Sequence, residues 1–165
     1  MPLQIVRNNI VSMDTDAIVN AANSRLRMGS GVCGAIFDTA GPFELQRACD
    51  EIGGCPTGGA VITPGFRLKA KYVIHAVGPV WQGGASGEEA LLRSAYTRSL
   101  ELARQHDLKS IAFPLISSGV YGYPKDQALR VALSAIQDDL IANGDMEAYL
   151  VLFDRDTFDL AQEYL

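Results

Sequence analysis

The chain has few of the residues that would cross-link it, bind a metal or wrap a nucleic acid. Its three cysteines, Cys33, Cys49 and Cys55, are odd in number and lack CxxC spacing, and only His75 and His106 are available as further metal-ligand candidates. That pattern argues against a disulfide framework and a zinc site, and it favours reduced thiols in a reducing compartment. Fourteen Lys and Arg against nineteen Asp and Glu give a formal net charge of −5, and no basic run occurs anywhere. Wrapping a duplex depends on clustered cations neutralising phosphates, so no nucleic-acid partner is expected. Apolar runs all fall short of the ~20 residues that span a membrane, and Met1 does not open a basic-then-apolar leader. The expected setting is the cytoplasm, without a membrane partner. Repeats and low-complexity stretches are also absent, and Gln82 to Gly87 reads as a flexible loop.

What is present is a hydrophobic fraction of 48% in 165 residues, enough for one buried core and too short for two ordinary domains, so residues 1–165 are expected to form one domain. Short apolar, often β-branched segments predict strands at Leu3 to Arg7, Ala17 to Asn20, Ala60 to Thr63, Tyr72 to Val77, Ser110 to Pro114 and Tyr149 to Phe153. Most are apolar at consecutive positions, which predicts burial on both faces. Helical periodicity predicts helices over Val32 to Ala40, Phe43 to Ile52, Glu88 to Gln105, Lys125 to Asn143 and Thr157 to Tyr164. The alternation predicts a three-layer α/β/α domain.

In such a domain, function concentrates in loops at the carboxyl ends of strands. Two loops stand out. The first runs from Asn20 through Asn23, Gly29, Gly31 and Gly34 into a helix. Its glycines allow close backbone approach, and helix N-terminal N–H groups attract an anion. It has neither a GK[ST] ending nor GxGxxG spacing. It reads equally as a phosphate loop or as a plain strand-to-helix turn. The second, Leu115-Ile116-Ser117-Ser118-Gly119-Val120-Tyr121-Gly122-Tyr123-Pro124, offers hydroxyl and backbone donors with two tyrosines beside them. It suits a sugar or a diphosphate; the alternative is tyrosines packed over the sheet edge, the better reading for Tyr123 beside Pro124.

Asn20-Ala21-Ala22-Asn23 and Ser117-Ser118-Gly119-Val120-Tyr121-Gly122 resemble the macrodomain family. The resemblance extends in order through Asp16-Ala17-Ile18-Val19, Cys55-Pro56-Thr57-Gly58, Tyr72-Val73-Ile74-His75 with Gly78-Pro79, and Ile111-Ala112-Phe113-Pro114. It spans nearly the whole chain. It implies a mixed, mostly parallel sheet sandwiched by helices, with ADP-ribose across the top as ligand, free or attached to a protein, and no separate cofactor or metal. Matched residue by residue, Asn9 and Ile10 stand where the adenine is met and Asn23 where the distal ribose is contacted. Gly29, Ser30, Gly31, Val32 and Cys33 would enclose the diphosphate from one side. Ser117, Ser118, Gly119, Val120 and Tyr121 would do so from the other, with Tyr121 against the distal ribose. Phe153 takes the place of an aromatic that stacks on the base, its alternative being a strand-end core residue.

Two positions depart from the family pattern. Asn9 stands where members carry an Asp that accepts from the adenine amino group. An amide oxygen still accepts but loses charge assistance of ~1 kcal/mol, and its NH₂ also donates, so base selectivity is expected to relax. Members of the branch that deacetylates O-acetyl-ADP-ribose or hydrolyses mono-ADP-ribosyl linkages carry Asp where Cys33 stands and His where Phe37 stands. A neutral thiol is a poor general base. A helix N-terminus favours a thiolate at Cys33, while no basic residue in the segment supports a nucleophile, so a packing cysteine is the simpler reading. His75, inside an apolar strand, reads as a core histidine. Three functions follow in order: a module binding ADP-ribose or ADP-ribosylated protein; a hydrolase of those ligands, with Asn23 and Cys33 as candidate catalytic residues; and a regulator of an RNA-processing enzyme.

Overall fold

A computed structural model describes residues 3–164; Met1, Pro2 and Leu165, the ends of the expected span, lie outside the described residues. Strands β1 (Leu3–Arg7), β2 (Ala17–Ala22), β3 (Ala60–Pro64), β4 (Tyr72–Val77), β5 (Ser110–Phe113) and β6 (Glu147–Leu152) alternate with helices α1 (Gly31–Ala40), α2 (Pro42–Ile52), α3 (Glu88–Gln105), α4 (Lys125–Asn143) and α5 (Arg155–Gln162). The strands form one sheet in the order β1-β6-β5-β2-β4-β3. Five are parallel, and β3 alone runs antiparallel, against β4. The expected mixed, mostly parallel sheet is what the chain builds.

Side-chain alternation divides each strand between two cores, as the period of two requires. Ala17 and Val19 face one core with α3, α4 and α5, while Ile18 faces the other with α1 and α2. Ile74 and Ala76 against Val73 and Val77 repeat the pattern on β4, as do Ile111 and Phe113 against Ala112 on β5. Both faces of β2, β4 and β5 are buried, which is why those segments read as continuous apolar runs.

Because β1, β6, β5, β2 and β4 are parallel, the loops after them all emerge at one sheet edge. The segments Asn8 to Ile10, Phe153 to Asp154, Pro114 to Tyr121, Asn23 to Cys33 and Gly78 are thereby brought together. A single 3-10 turn, Ile10–Ser12, follows β1 with Asn9 as its cap; the sequence reading placed no element there.

The loop expected to be flexible, Gln82 to Gly87, is instead tied to the first residue of α3. The buried Glu88 carboxylate accepts from the backbone N–H groups of Gln82, Gly84 and Ser86 at 2.8, 2.9 and 2.7 Å. Those donors, Gln82 and Gly84 foremost, hold its carboxyl down to about 2.

Candidate functional site

The first loop leaves β2 at Asn23, whose side chain closes on the main chain of Arg27. Asn23 Nδ2 donates to Arg27 O at 2.8 Å, and Arg27 N donates to Asn23 Oδ1 at 3.0 Å. From α2, Gln46 continues the brace, donating to Leu26 O and accepting from Met28 N, both at 2.9 Å. Leu26 is buried with φ 56, so its side chain anchors the loop in a left-handed turn. Gly34 lets α1 pack beneath the loop: a Cβ there would stand 2.6 Å from Gly29 O. Helix α1 begins at Gly31 behind Ser30, whose side chain makes no capping bond, and its first turn carries no acidic residue. The leading N–H groups therefore face the cleft without a side-chain oxygen, the condition under which a helix start attracts an anion.

The second loop leaves β5 under a brace from α3. The buried Tyr96 hydroxyl donates to Pro114 O at 3.2 Å and accepts from Ile116 N at 3.0 Å. Burial raises the Tyr96 phenol well above its ordinary value, so it remains protonated. Ser117 adopts φ 68, rare for a residue with a side chain, and Tyr123 N donates to Ser117 O at 2.9 Å to close the turn. The Ser117 hydroxyl is buried and has no hydrogen-bond partner. Gly78, after β4, makes room for it, since a Cβ at that position would lie 2.2 Å from Ser117 Oγ and 2.5 Å from Ile116 Cγ2. Gly119 is the opposite case, where a Cβ would meet nothing within 4 Å. Tyr123 packs its ring on Trp81 at 4.7 Å and is buried, so it is a packing residue, whereas Tyr121 lines the cleft.

Between the loops and the ends of β1 and β6 lies a cavity of about 710 Å³. Asn9, Ile10, Asn23, Gly29, Ser30, Gly31, Val32, Cys33, Ser117, Ser118, Gly119, Val120, Tyr121 and Phe153 all line it, so the structure brings every residue matched to the ligand from sequence to one place. Phe153 is 74% exposed, which overturns the reading of it as a core aromatic: β6 ends at Leu152, one residue earlier than expected, and the ring projects from the rim. Asn9 spends its amide oxygen on Val11 N at 3.2 Å as the cap of the 3-10 turn, leaving its NH₂ as the unengaged end.

Beneath the first loop runs a buried polar chain. Cys33 is 6% exposed; its thiol donates to Arg27 O at 3.7 Å and accepts from Asn20 Nδ2 at 3.6 Å. Asn20 Nδ2 also meets His75 Nδ1 at 3.1 Å, and His75 Nε2 meets Thr63 Oγ1 at 3.0 Å. Since the amide N–H donates to Nδ1, the imidazole proton sits on Nε2 and points at Thr63. Burial lowers the His75 pKa to about 4, so the ring is neutral, a core histidine that supports the floor and does not reach the cleft. Cys49, at 3.8 Å from His75 Nε2, has its thiol pushed up to about 12, mainly by burial. Asn20 Oδ1 remains without a partner. No group of three His, Cys, Asp or Glu among the described residues is placed to hold a metal ion.

The sequence reading missed several lining residues, among them Asn8, Gly78, Ile116, Lys125 and Asp154. Gly78 lay within the Gly78-Pro79 motif of the resemblance but was given no role in the site. Asp154 was recoverable, because an Asp three residues before Thr157 at a strand end is a helix-capping signal. Asp154 is also the only carboxylate among the described lining residues, and Lys125 the only basic one.

The match to known proteins is consistent with this architecture. The family model described as "Macro domain" covers residues 19–132. The O-acetyl-ADP-ribose deacetylase of Salmonella typhimurium is 49% identical over 160 residues, spanning 94% of this chain and 89% of that protein. A solved Oceanobacillus iheyensis macrodomain with ADP superimposes with TM-score 0.94 at 42% identity, over 98% of this chain and 88% of that one. A Trypanosoma brucei macrodomain in complex with ADP-ribose gives 0.90 at 36% identity, over 98% of this chain and 68% of that one. Joined to a six-stranded sheet whose parallel strand ends open on a single cleft, these matches leave one assignment: the chain belongs to the Macro domain family.

Proposed function

We propose that this chain binds ADP-ribose, free or attached to a protein, with the adenine against Phe153 and Asn9 and the diphosphate between Gly29 to Cys33 and Ser117 to Tyr121. The observation that carries this reading is the cleft itself. An uncapped helix start, a buried hydroxyl without a partner and an exposed aromatic ring converge on one cavity of about 710 Å³. That volume suits a ligand of nucleotide size. The solved relatives with ADP and ADP-ribose support the ligand class. Asn9, with its oxygen already engaged, is expected to discriminate adenine from guanine weakly.

Binding without turnover is the reading the residues favour. Hydrolysis needs a group that activates water near the distal ribose, and the end of the cleft built by Asn23 and Cys33 has none: among the described lining residues there is no histidine, and the single carboxylate, Asp154, stands next to Phe153. The deacetylase name of the Salmonella relative keeps a hydrolase as the second reading. Calorimetric titration with ADP-ribose, followed by assay of O-acetyl-ADP-ribose and an ADP-ribosylated protein in the same sample, tests both. Micromolar-range binding without turnover is the expected result, and absence of binding refutes it. Cys33→Asp places a carboxylate beside Asn20 Nδ2 and is expected to raise turnover at least about a hundredfold, the low end of what a positioned base supplies. No change would exclude a base role at this position.

A further inference from the structure

The nucleoside end of the cleft holds a charged acceptor that the binding reading leaves unused. Asp154 follows Phe153 and caps α5, but both capping bonds go to one oxygen: Thr157 N and Thr157 Oγ1 donate to Oδ2 at 3.0 and 2.7 Å. Oδ1 receives no donor from the described residues. The Thr157 side-chain and backbone donors lower the Asp154 pKa, with a smaller contribution from Lys125, so the group is ionised at neutral pH. Asn9, also lining this cavity, has its oxygen engaged by Val11 N. Asp154 Oδ1 is thus the one carboxylate oxygen available beside the exposed Phe153 ring.

We propose that Asp154 reads the nucleoside ribose: Oδ1 accepts a hydrogen bond from one of its vicinal hydroxyls, and the carboxylate charge rejects nucleotides phosphorylated there. The inference rests on the nucleotide-binding reading and adds to it the class of nucleotide admitted. A hydroxyl offers a carboxylate a charge-assisted bond, whereas a phosphate has no proton to share and repels it. Dinucleotide-binding sheets use the same chemistry, with an acidic residue on a free 2′-hydroxyl and an arginine for a 2′-phosphate. Lys125, on the first turn of α4, has the opposite sign and lines the same cavity, so selectivity here is a contest between the two side chains.

Asp154→Asn and Asp154→Ser both keep an oxygen to cap Thr157 while removing the charge. Calorimetric titration at fixed salt compares ADP-ribose with its 2′-phosphorylated counterpart for the wild type and both variants, and melting curves check that the fold is kept. The wild type is expected to bind ADP-ribose roughly thirtyfold more tightly than the phosphorylated form, a difference of about 2 kcal/mol. In both variants the ADP-ribose affinity falls roughly tenfold and the discrimination shrinks below about threefold. Equal affinities in the wild type, a preference for the phosphorylated form, or discrimination unchanged in both variants would overturn the proposal while leaving nucleotide binding in place. A wild type that binds neither nucleotide would remove both.

Discussion

The two loops that face each other across the cleft are held in different ways. The first, from Asn23 to Gly34, is shaped by amide side chains: Asn23 closes on Arg27, and the half-buried Gln46 reaches across from α2. The second, from Pro114 to Tyr123, is shaped by its own backbone turn at Ser117 and by the fully buried phenol of Tyr96. A loop braced by a half-buried amide can substitute water for the lost bonds. One braced by a buried phenol cannot, and removing the brace strands backbone groups. The second loop is accordingly the more costly to disturb.

The largest expected effect sits in that half. Gly78→Val drives side-chain atoms into Ser117 and Ile116 and is expected to destabilise the fold by about 3 kcal/mol, read by denaturant titration. Gly119→Val, only a loop away, points into open space, so its stability is expected to stay within about 0.5 kcal/mol of wild type while ADP-ribose affinity falls at least about a hundredfold. Retained affinity in that folded variant would place the ligand elsewhere.

Removing the braces compares the halves directly. Tyr96→Phe leaves Ile116 N and Pro114 O unpaired in the core, at an expected cost of about 2 kcal/mol, whereas Gln46→Ala costs about 1 kcal/mol or less and weakens binding through a looser first loop. Equal losses would erase the distinction drawn between them.

A pH dependence lies beneath the first loop. His75 has its pKa lowered from 6.5 to about 4, so the fold favours the neutral ring. Its contribution is complete above pH 6.5 and is lost as the pH falls toward 4, with a slope of at most about 1.4 kcal/mol per pH unit for one proton. Melting temperatures of His75→Asn and the wild type should therefore converge between those limits. Parallel curves would show that His75 does not titrate with unfolding.

Much of this was readable one residue at a time. The bounds of β1, β4, α3 and α4 coincide with the expected segments, because apolar runs and helical periodicity are local signals. Other bounds shift by one or two residues, and two of these differences lie at the cleft. β2 runs on through Ala21 and Ala22, which read as loop but pair with Ala76 and Val77. Phe153 turns outward where an apolar run suggested a strand. In both cases a neighbouring strand or the cleft rim overrode the local pattern.

The sequence by itself determined the elements, the two glycine-bearing loops and the resemblance that named the ligand class, since these depend on residue type and short spacing. The strand order, the braces from Gln46 and Tyr96, the orphaned Ser117 hydroxyl and the free oxygen of Asp154 were decided only by the tertiary structure. Each depends on groups distant in the chain meeting within hydrogen-bonding distance, and pairing across such separations leaves no periodic trace in sequence.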